Sequence, residues 1–140
     1  MQVRAGMSDV VLTVGPGHTL RDAARMMTEK GVGAAIVIDE EQPHPAIVSE
    51  RDILRSVGSG QDPDSELVRD HMSDTVISAA PDWSLERAAM EMSRRHIRHL
   101  VVVEGGEIAG ILSMRDIIRV WTSEGATSGM TSPESEATRA

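Results

Sequence analysis

The sequence predicts an α+β fold: two β-α-β-β-α repeats packed sheet to sheet about a pseudo-twofold axis. Three observations carry that expectation: a tandem duplication along most of the 140 residues, apolar stripes of helical period, and short β-branched runs bounded by turn residues. Sliding the chain by sixty-five residues lays Val3, Arg4, Met7, Ser8 and Asp9 over Val68, Arg69, Met72, Ser73 and Asp74. Val11, Pro16, Leu20, Ala23, Ala24, Met27 and Val37 then fall on Val76, Pro81, Leu85, Ala88, Ala89, Met92 and Val102. One residue is lost in a loop. Beyond it Ile47, Ser49, Arg51, Asp52, Ile53 and Arg55 coincide with Ile111, Ser113, Arg115, Asp116, Ile117 and Arg119. A unit of about 60 residues with three strands and two helices is marginal alone, so the copies should bury their sheets against each other. The division expected is residues 1–60 for the first repeat, 61–123 for the second and 124–140 for a tail.

Each copy opens with a β-branched run, Val10 to Val14 and Thr75 to Ser78, ended by Gly15-Pro16 and Ala80-Pro81. Thr19 and Ser84 stand where a helix N-cap belongs, because a hydroxyl there accepts one of the unpaired N–H groups of the first turn. Leu20, Ala23, Ala24 and Met27 form one helical stripe, repeated by Leu85, Ala88, Ala89 and Met92. Gly31 follows as a C-terminal cap glycine would. Ala34 to Ile38 and Leu100 to Val103 are continuous apolar runs of the kind covered on both faces. A turn comes next, Glu40 to Pro45 or Gly105-Gly106, and then a third strand, Ala46 to Val48 or Ile108 to Leu112. Ser49 and Ser113 open a second helix, whose apolar stripe in copy two is Met114, Ile117, Ile118 and Trp121. Pro63 to Glu66 marks the joint, able to start a short connecting helix. After Glu124 almost nothing apolar remains, and that tail is expected to be disordered.

Composition narrows the function. The chain holds no Cys, Phe or Tyr, so disulfides, zinc ribbons, cysteine nucleophiles and aromatic base-stacking platforms are excluded. Its net charge of −8 opposes nucleic-acid binding, which draws most of its affinity from cations neutralising phosphates. No run approaches the roughly 20 apolar residues that cross a bilayer, and no signal-peptide pattern is visible. The expected setting is the cytoplasm, with no membrane or nucleic-acid partner. No serine has a base and acid arranged beside it in the sequence, so no enzymatic activity and no required cofactor are expected.

The repeat itself, the opening Val-Arg-x-x-Met-Ser-Asp-x-Val, and the segments Ile47 to Ile53, Ile111 to Ile117 and Arg98 to Val103 together resemble the cystathionine β-synthase (CBS) domain pair, or Bateman module. The resemblance covers residues 3 to about 122. It implies a non-catalytic regulatory module that binds adenosine-containing ligands, such as AMP, ADP, ATP or S-adenosylmethionine, in clefts between the copies. It also implies that Ser49 and Asp52, and again Ser113 and Asp116, meet phosphate and ribose, joined by Thr13 and Ser78 of the first strands. One departure is that the glycine before the third strand's apolar pair, Gly110 in copy two, is Ala46 in copy one, which should crowd the first cleft. A signal would pass by ligand-induced reorientation to a regulated enzyme or transporter, with the chain a homodimer. The alternative is a structural or protein-interaction module with no small ligand.

The residue chemistry agrees. Ser49 and Ser113 sit at helix starts, where free N–H groups and the helix dipole favour an anion. Arg51 and Arg115 follow two residues later and could pair with phosphate. Both Ser-x-x-Asp motifs are also capping boxes in outline, a role compatible with binding. The basic stretch Arg94 to His99 reads as a solvated helix end, a phosphate-binding edge led by Arg98, or a metal or nucleic-acid site. Arg98 faces Gly33 in the repeat, so the two sites should differ in phosphate affinity. Any adenine must lie between aliphatic side chains, as Phe and Tyr are absent and Trp83 and Trp121 are the only aromatics.

Overall fold

The computed structural model describes residues 1–123, so the tail expected to be disordered lies outside the described residues. Helix α1 (Val3–Gly6) precedes β1 (Thr13–Val14), α2 (Leu20–Lys30), β2 (Ala34–Val37), β3 (Ala46–Ser49) and α3 (Glu50–Gly58). A 3₁₀ turn at Val68–Asp70 leads into β4 (Ser78–Ala79), α4 (Leu85–Arg95), β5 (His99–Glu104), β6 (Glu107–Ser113) and α5 (Met114–Ser123). The two three-stranded sheets run β1-β2-β3 and β4-β5-β6, each with one parallel and one antiparallel pair. The repeat order is the one the sequence predicts.

Local chemistry sets the boundaries. The Asp22 N–H donates to Thr19 Oγ1 at 3.1 Å and the Arg87 N–H to Ser84 Oγ at 3.0 Å, so both hydroxyls cap their helices. Gly31 (φ 68°) and His96 (φ 57°) take the left-handed conformation that ends α2 and α4. Gly105 and Gly106 both have positive φ, as the tight β5–β6 hairpin requires. The first strands are shorter than the sequence suggests. Only two residues of each are strand positions, although the carbonyls of Leu12 and Ile77 just before them accept from the N–H groups of Ile36 and Val101.

Each sheet covers its own helices, Leu20, Ala23 and Met27 in one core and Leu85, Ala88 and Met92 in the other. A third apolar layer of Ile36, Val101 and Ile111, flanked by Val11, Ile47 and Val76, joins the two sheets face to face. The stripe expected on α5 divides: Ile117 is buried, but Met114 and Ile118 are exposed and Val120 fills the core place instead.

The copies are interlocked. Fully buried Val3 belongs to the core of the second repeat, and fully buried Val68 to that of the first. The N–H groups of Val3 and Arg4 donate to the carbonyls of Trp83 and Pro81, and those of Val68 and Arg69 to His18 and Pro16. Further along, Ser8 exchanges two backbone bonds with Ile111 on β6, and Ser73 two with Ile47 on β3. Each leading segment therefore completes the sheet edge of the other copy.

Candidate functional site

Ser49 ends β3 in an extended conformation and Glu50 begins α3, its N–H donating to the Gly33 carbonyl at 2.9 Å. The Ser49 N–H and Oγ–H both donate to Asp52 Oδ2, at 2.8 and 3.1 Å, which fixes that carboxylate at the helix N-terminus. Because Ser73 pairs beside Ile47, the extended Thr75 to Ile77 stretch of copy two runs past this helix start. The turn from α4 into β5 closes the third side. Between them lies a cleft of about 680 Å³.

The cleft floor is aliphatic: Ile47, Val76, Ile77, Ile97 and Val101. Its rim carries four guanidinium groups, Arg51, Arg55, Arg95 and Arg98, against the carboxylates of Glu50 and Asp52. A chain of net charge −8 thus has a locally cationic cleft, the field an anion would meet. Among the described residues Arg55 and Arg98 make no side-chain hydrogen bond or ion pair, whereas Arg95 is held by Glu91 at 2.8 Å. Arg51 uses Nη1 to donate to the His96 carbonyl at 2.8 Å, the cap of α4 in the other copy. Part-buried His99 also lines the cleft; burial pushes its imidazole below the ordinary value, opposed by Glu50 and Asp116 and reinforced by Arg115 and Arg98.

Four residues singled out in the sequence, Ser49, Arg51, Asp52 and Arg98, come together here. Thr13 and Ser78 do not: both are exposed strand positions, and the wall comes instead from Thr75 to Ile77. Ser113, Arg115 and Asp116 line neither this cleft nor a smaller hollow of about 190 Å³ beside His44. The Ser113 N–H donates to Asp116 Oδ2 at 2.9 Å and the Asp116 N–H to Ser113 Oγ at 3.0 Å, so the second motif has the same capping geometry. Arg115, however, donates to the Gly31 carbonyl at 3.0 Å, matching Arg51 on His96. Each arginine grips the carbonyl end of a helix in the opposite copy, where the dipole favours a cation.

Other expectations shift with the geometry. A Cβ on Gly110 would lie 2.4 Å from the Ser8 carbonyl oxygen, so this glycine admits the neighbouring chain rather than a ligand. Ala46 is buried in the core of its own sheet and is absent from the residues lining the cleft, so it does not crowd that site. The basic stretch lines the cleft from Arg95 to His99, while Arg94 and Arg95 also pair with Glu91 and His96 also caps α4. Among the described residues no three His, Asp or Glu side chains are grouped to hold a metal, and no helix is long and apolar enough to cross a membrane. Sequence reasoning missed Arg55 and Thr75, of which only Arg55 carried a signal, its identity with Arg119 across the repeat; His99 belonged to the basic stretch already singled out.

This fold defines a tandem-repeat module with a cleft between its copies. The chain belongs to the CBS domain family, whose model matches residues 2–59 and again 68–123. It is 33% identical over 131 residues to the CBS domain-containing protein YhcV of Bacillus subtilis, with 92% of each chain aligned. It is 34% identical over 112 residues to an uncharacterized protein of Methanopyrus kandleri, covering 79% of this chain but only 57% of that one. Among solved structures it resembles the CBS domain protein PAE2072 of Pyrobaculum aerophilum complexed with AMP, with a TM-score of 0.75 and 32% identity. That match covers 91% of this chain and 99% of the other.

Proposed function

We propose that the chain is a non-catalytic regulatory module that binds an adenosine-containing ligand (AMP, ADP, ATP or S-adenosylmethionine) in the cleft beside Ser49 and Asp52. The carrying observation is the conjunction at one place of a fixed carboxylate, a helix start, four arginines and an aliphatic floor. Asp52 suits the hydroxyls of a ribose, since a carboxylate accepts from both. The Ser49 hydroxyl, the start of α3 and the arginines suit phosphate. Val76, Ile77 and Val101 suit the faces of a flat base. The AMP complex of the Pyrobaculum relative supports this ligand class.

Signal output follows from the interlock. A ligand bridging α3 of one copy and the Arg95 to His99 turn of the other favours one mutual orientation, which a regulated enzyme or transporter could read. Exposed Leu54 and Val57 on α3 and Met90 on α4 are apolar surface suited to a homodimer. A second reading, an interaction module with no small ligand, is favoured by those same residues. Calorimetry with AMP, ADP, ATP and S-adenosylmethionine decides between them. At least one should bind, and Asp52→Ala should weaken it at least tenfold; no binding by any of them overturns the proposal and leaves the interaction module.

A further inference from the structure

The two Ser-x-x-Asp motifs match in sequence and capping geometry, but their surroundings differ at the positions that matter for charge. Around the first, the repeat supplies Glu50, Thr75, Arg98 and His99; the matched positions around the second are Met114, Val10, Gly33 and Ala34. Arg98, and with it one whole guanidinium, has no counterpart. Arg55 and its twin Arg119 are used differently. Arg119 donates to the Gly6 carbonyl at 3.2 Å and pairs with Asp116 Oδ1 at 3.3 Å, so it occupies the very carboxylate that would meet a ribose. Arg55 lines the first cleft with neither hydrogen bond nor ion pair among the described residues. Val10 and Ile118, more than half exposed, and Met114 give the second motif an apolar margin in place of a cationic one.

We infer that the chain binds one phosphorylated ligand, in the first cleft, and that Arg55 and Arg98 hold phosphates beyond the first, selecting a nucleoside di- or triphosphate over the monophosphate. The inference rests on the nucleotide reading above and sharpens it. A monophosphate can be met by the start of α3 and by the N–H groups that Arg51 does not spend on the His96 carbonyl. That leaves two unpaired guanidinium groups in the same cleft, and charge-assisted bonds to phosphate are the strongest use they have. The second motif offers no such pair. Its Asp116 would first have to give up Arg119, whereas no arginine pairs with Asp52 among the described residues.

Calorimetry on the full chain at fixed salt, with AMP, ADP and ATP, tests both parts. The expected result is one site per chain for each, with ATP and ADP about tenfold tighter than AMP. Arg98→Gly, which copies the residue of the first repeat at this position, and separately Arg55→Gln should shrink that gap to threefold or less while AMP affinity changes little. Asp116→Asn should leave the stoichiometry at one. Two sites per chain, reduced to one by Asp116→Asn, would overturn the inference while leaving the nucleotide reading intact, as would AMP binding as tightly as ATP. Equal losses for all three nucleotides in both arginine variants, with unchanged melting temperatures, would also refute it. No binding of any nucleotide would remove the underlying reading and this inference together.

Discussion

Replacing Gly110 by Ala should destabilise the fold more than its single methyl group suggests. The new Cβ would stand 2.4 Å from the Ser8 carbonyl oxygen, a backbone atom, and 3.3 Å from Met7 Sδ. Ser8 cannot step aside cheaply, because its N–H and carbonyl bond to Ile111 at 2.9 and 3.0 Å. Behind it α1 is anchored by Val3 in the core of the second repeat. Relieving the contact means moving the strand by about 0.6 Å to reach the 3.0 Å that real Cβ atoms respect. Overpacking of this kind costs about 1–3 kcal/mol. Weakening two backbone bonds without breaking them adds part of the about 0.5–1.5 kcal/mol that each contributes, so a total near 3 kcal/mol is expected. For a domain of this size that lowers Tm by about 12 °C. Thermal denaturation followed by circular dichroism measures it, with Ala46→Gly as the control at the matched position, where removal of a methyl costs about 1 kcal/mol. A Gly110→Ala protein melting within about 2 °C of the parent, or above Ala46→Gly, would refute the account of the interlocked strands.

Three further outcomes follow from the same geometry. His99 is held below its ordinary 6.5 by burial, so the unfolded chain takes up a proton first as pH falls through that value. Stability should therefore decline from about pH 7 toward pH 5, before most carboxylates titrate, and His99→Gln should flatten that slope in melts across the range. An unchanged slope would refute the link. Arg115→Ala, which frees the Gly31 carbonyl, should lower Tm by about 4 °C, and no change would mean that the grip on the helix end contributes nothing. Val3→Ala and Val68→Ala should each cost about 2 kcal/mol yet leave one cooperative transition in calorimetric melts; two separate transitions would show that the copies fold independently.

Much of this molecule can be read along the chain because duplication samples each position twice. The helix caps Thr19 and Ser84, the stripes from Leu20 and Leu85, and the strand order all rest on local chemistry, and all appear where local chemistry puts them. The short β1 and β4 were not legible. Val10 to Leu12 has the composition of a strand, yet the strand positions are only Thr13 and Val14, a matter of tertiary register. The site divides the same way. Ser49 and Asp52 could be placed at a helix start from spacing alone. That Arg98 faces them, that Thr75 walls the cleft, and that Arg115 leaves its motif for Gly31 depend on how the two copies dock, which no single segment encodes.

The reciprocal exchange of leading segments explains why a charge difference between the surroundings of the two motifs can coexist with a symmetric scaffold. Val3 and Val68, the Ser8–Ile111 and Ser73–Ile47 bridges, and the Arg51–His96 and Arg115–Gly31 contacts occur in matched pairs, and they hold the copies together whatever fills the clefts. Positions outside that set differ between the copies: Arg98 against Gly33, Glu50 against Met114, His99 against Ala34. Duplication thus supplies two motifs of equal frame and unequal surroundings. Arg51 is the point where frame and site meet, because it lines the cleft and grips the His96 carbonyl at once. A phosphate near Arg51 competes with that carbonyl for the same guanidinium. If the cleft binds a ligand as proposed, occupancy would act on the contact that sets one copy against the other and so favour one mutual orientation.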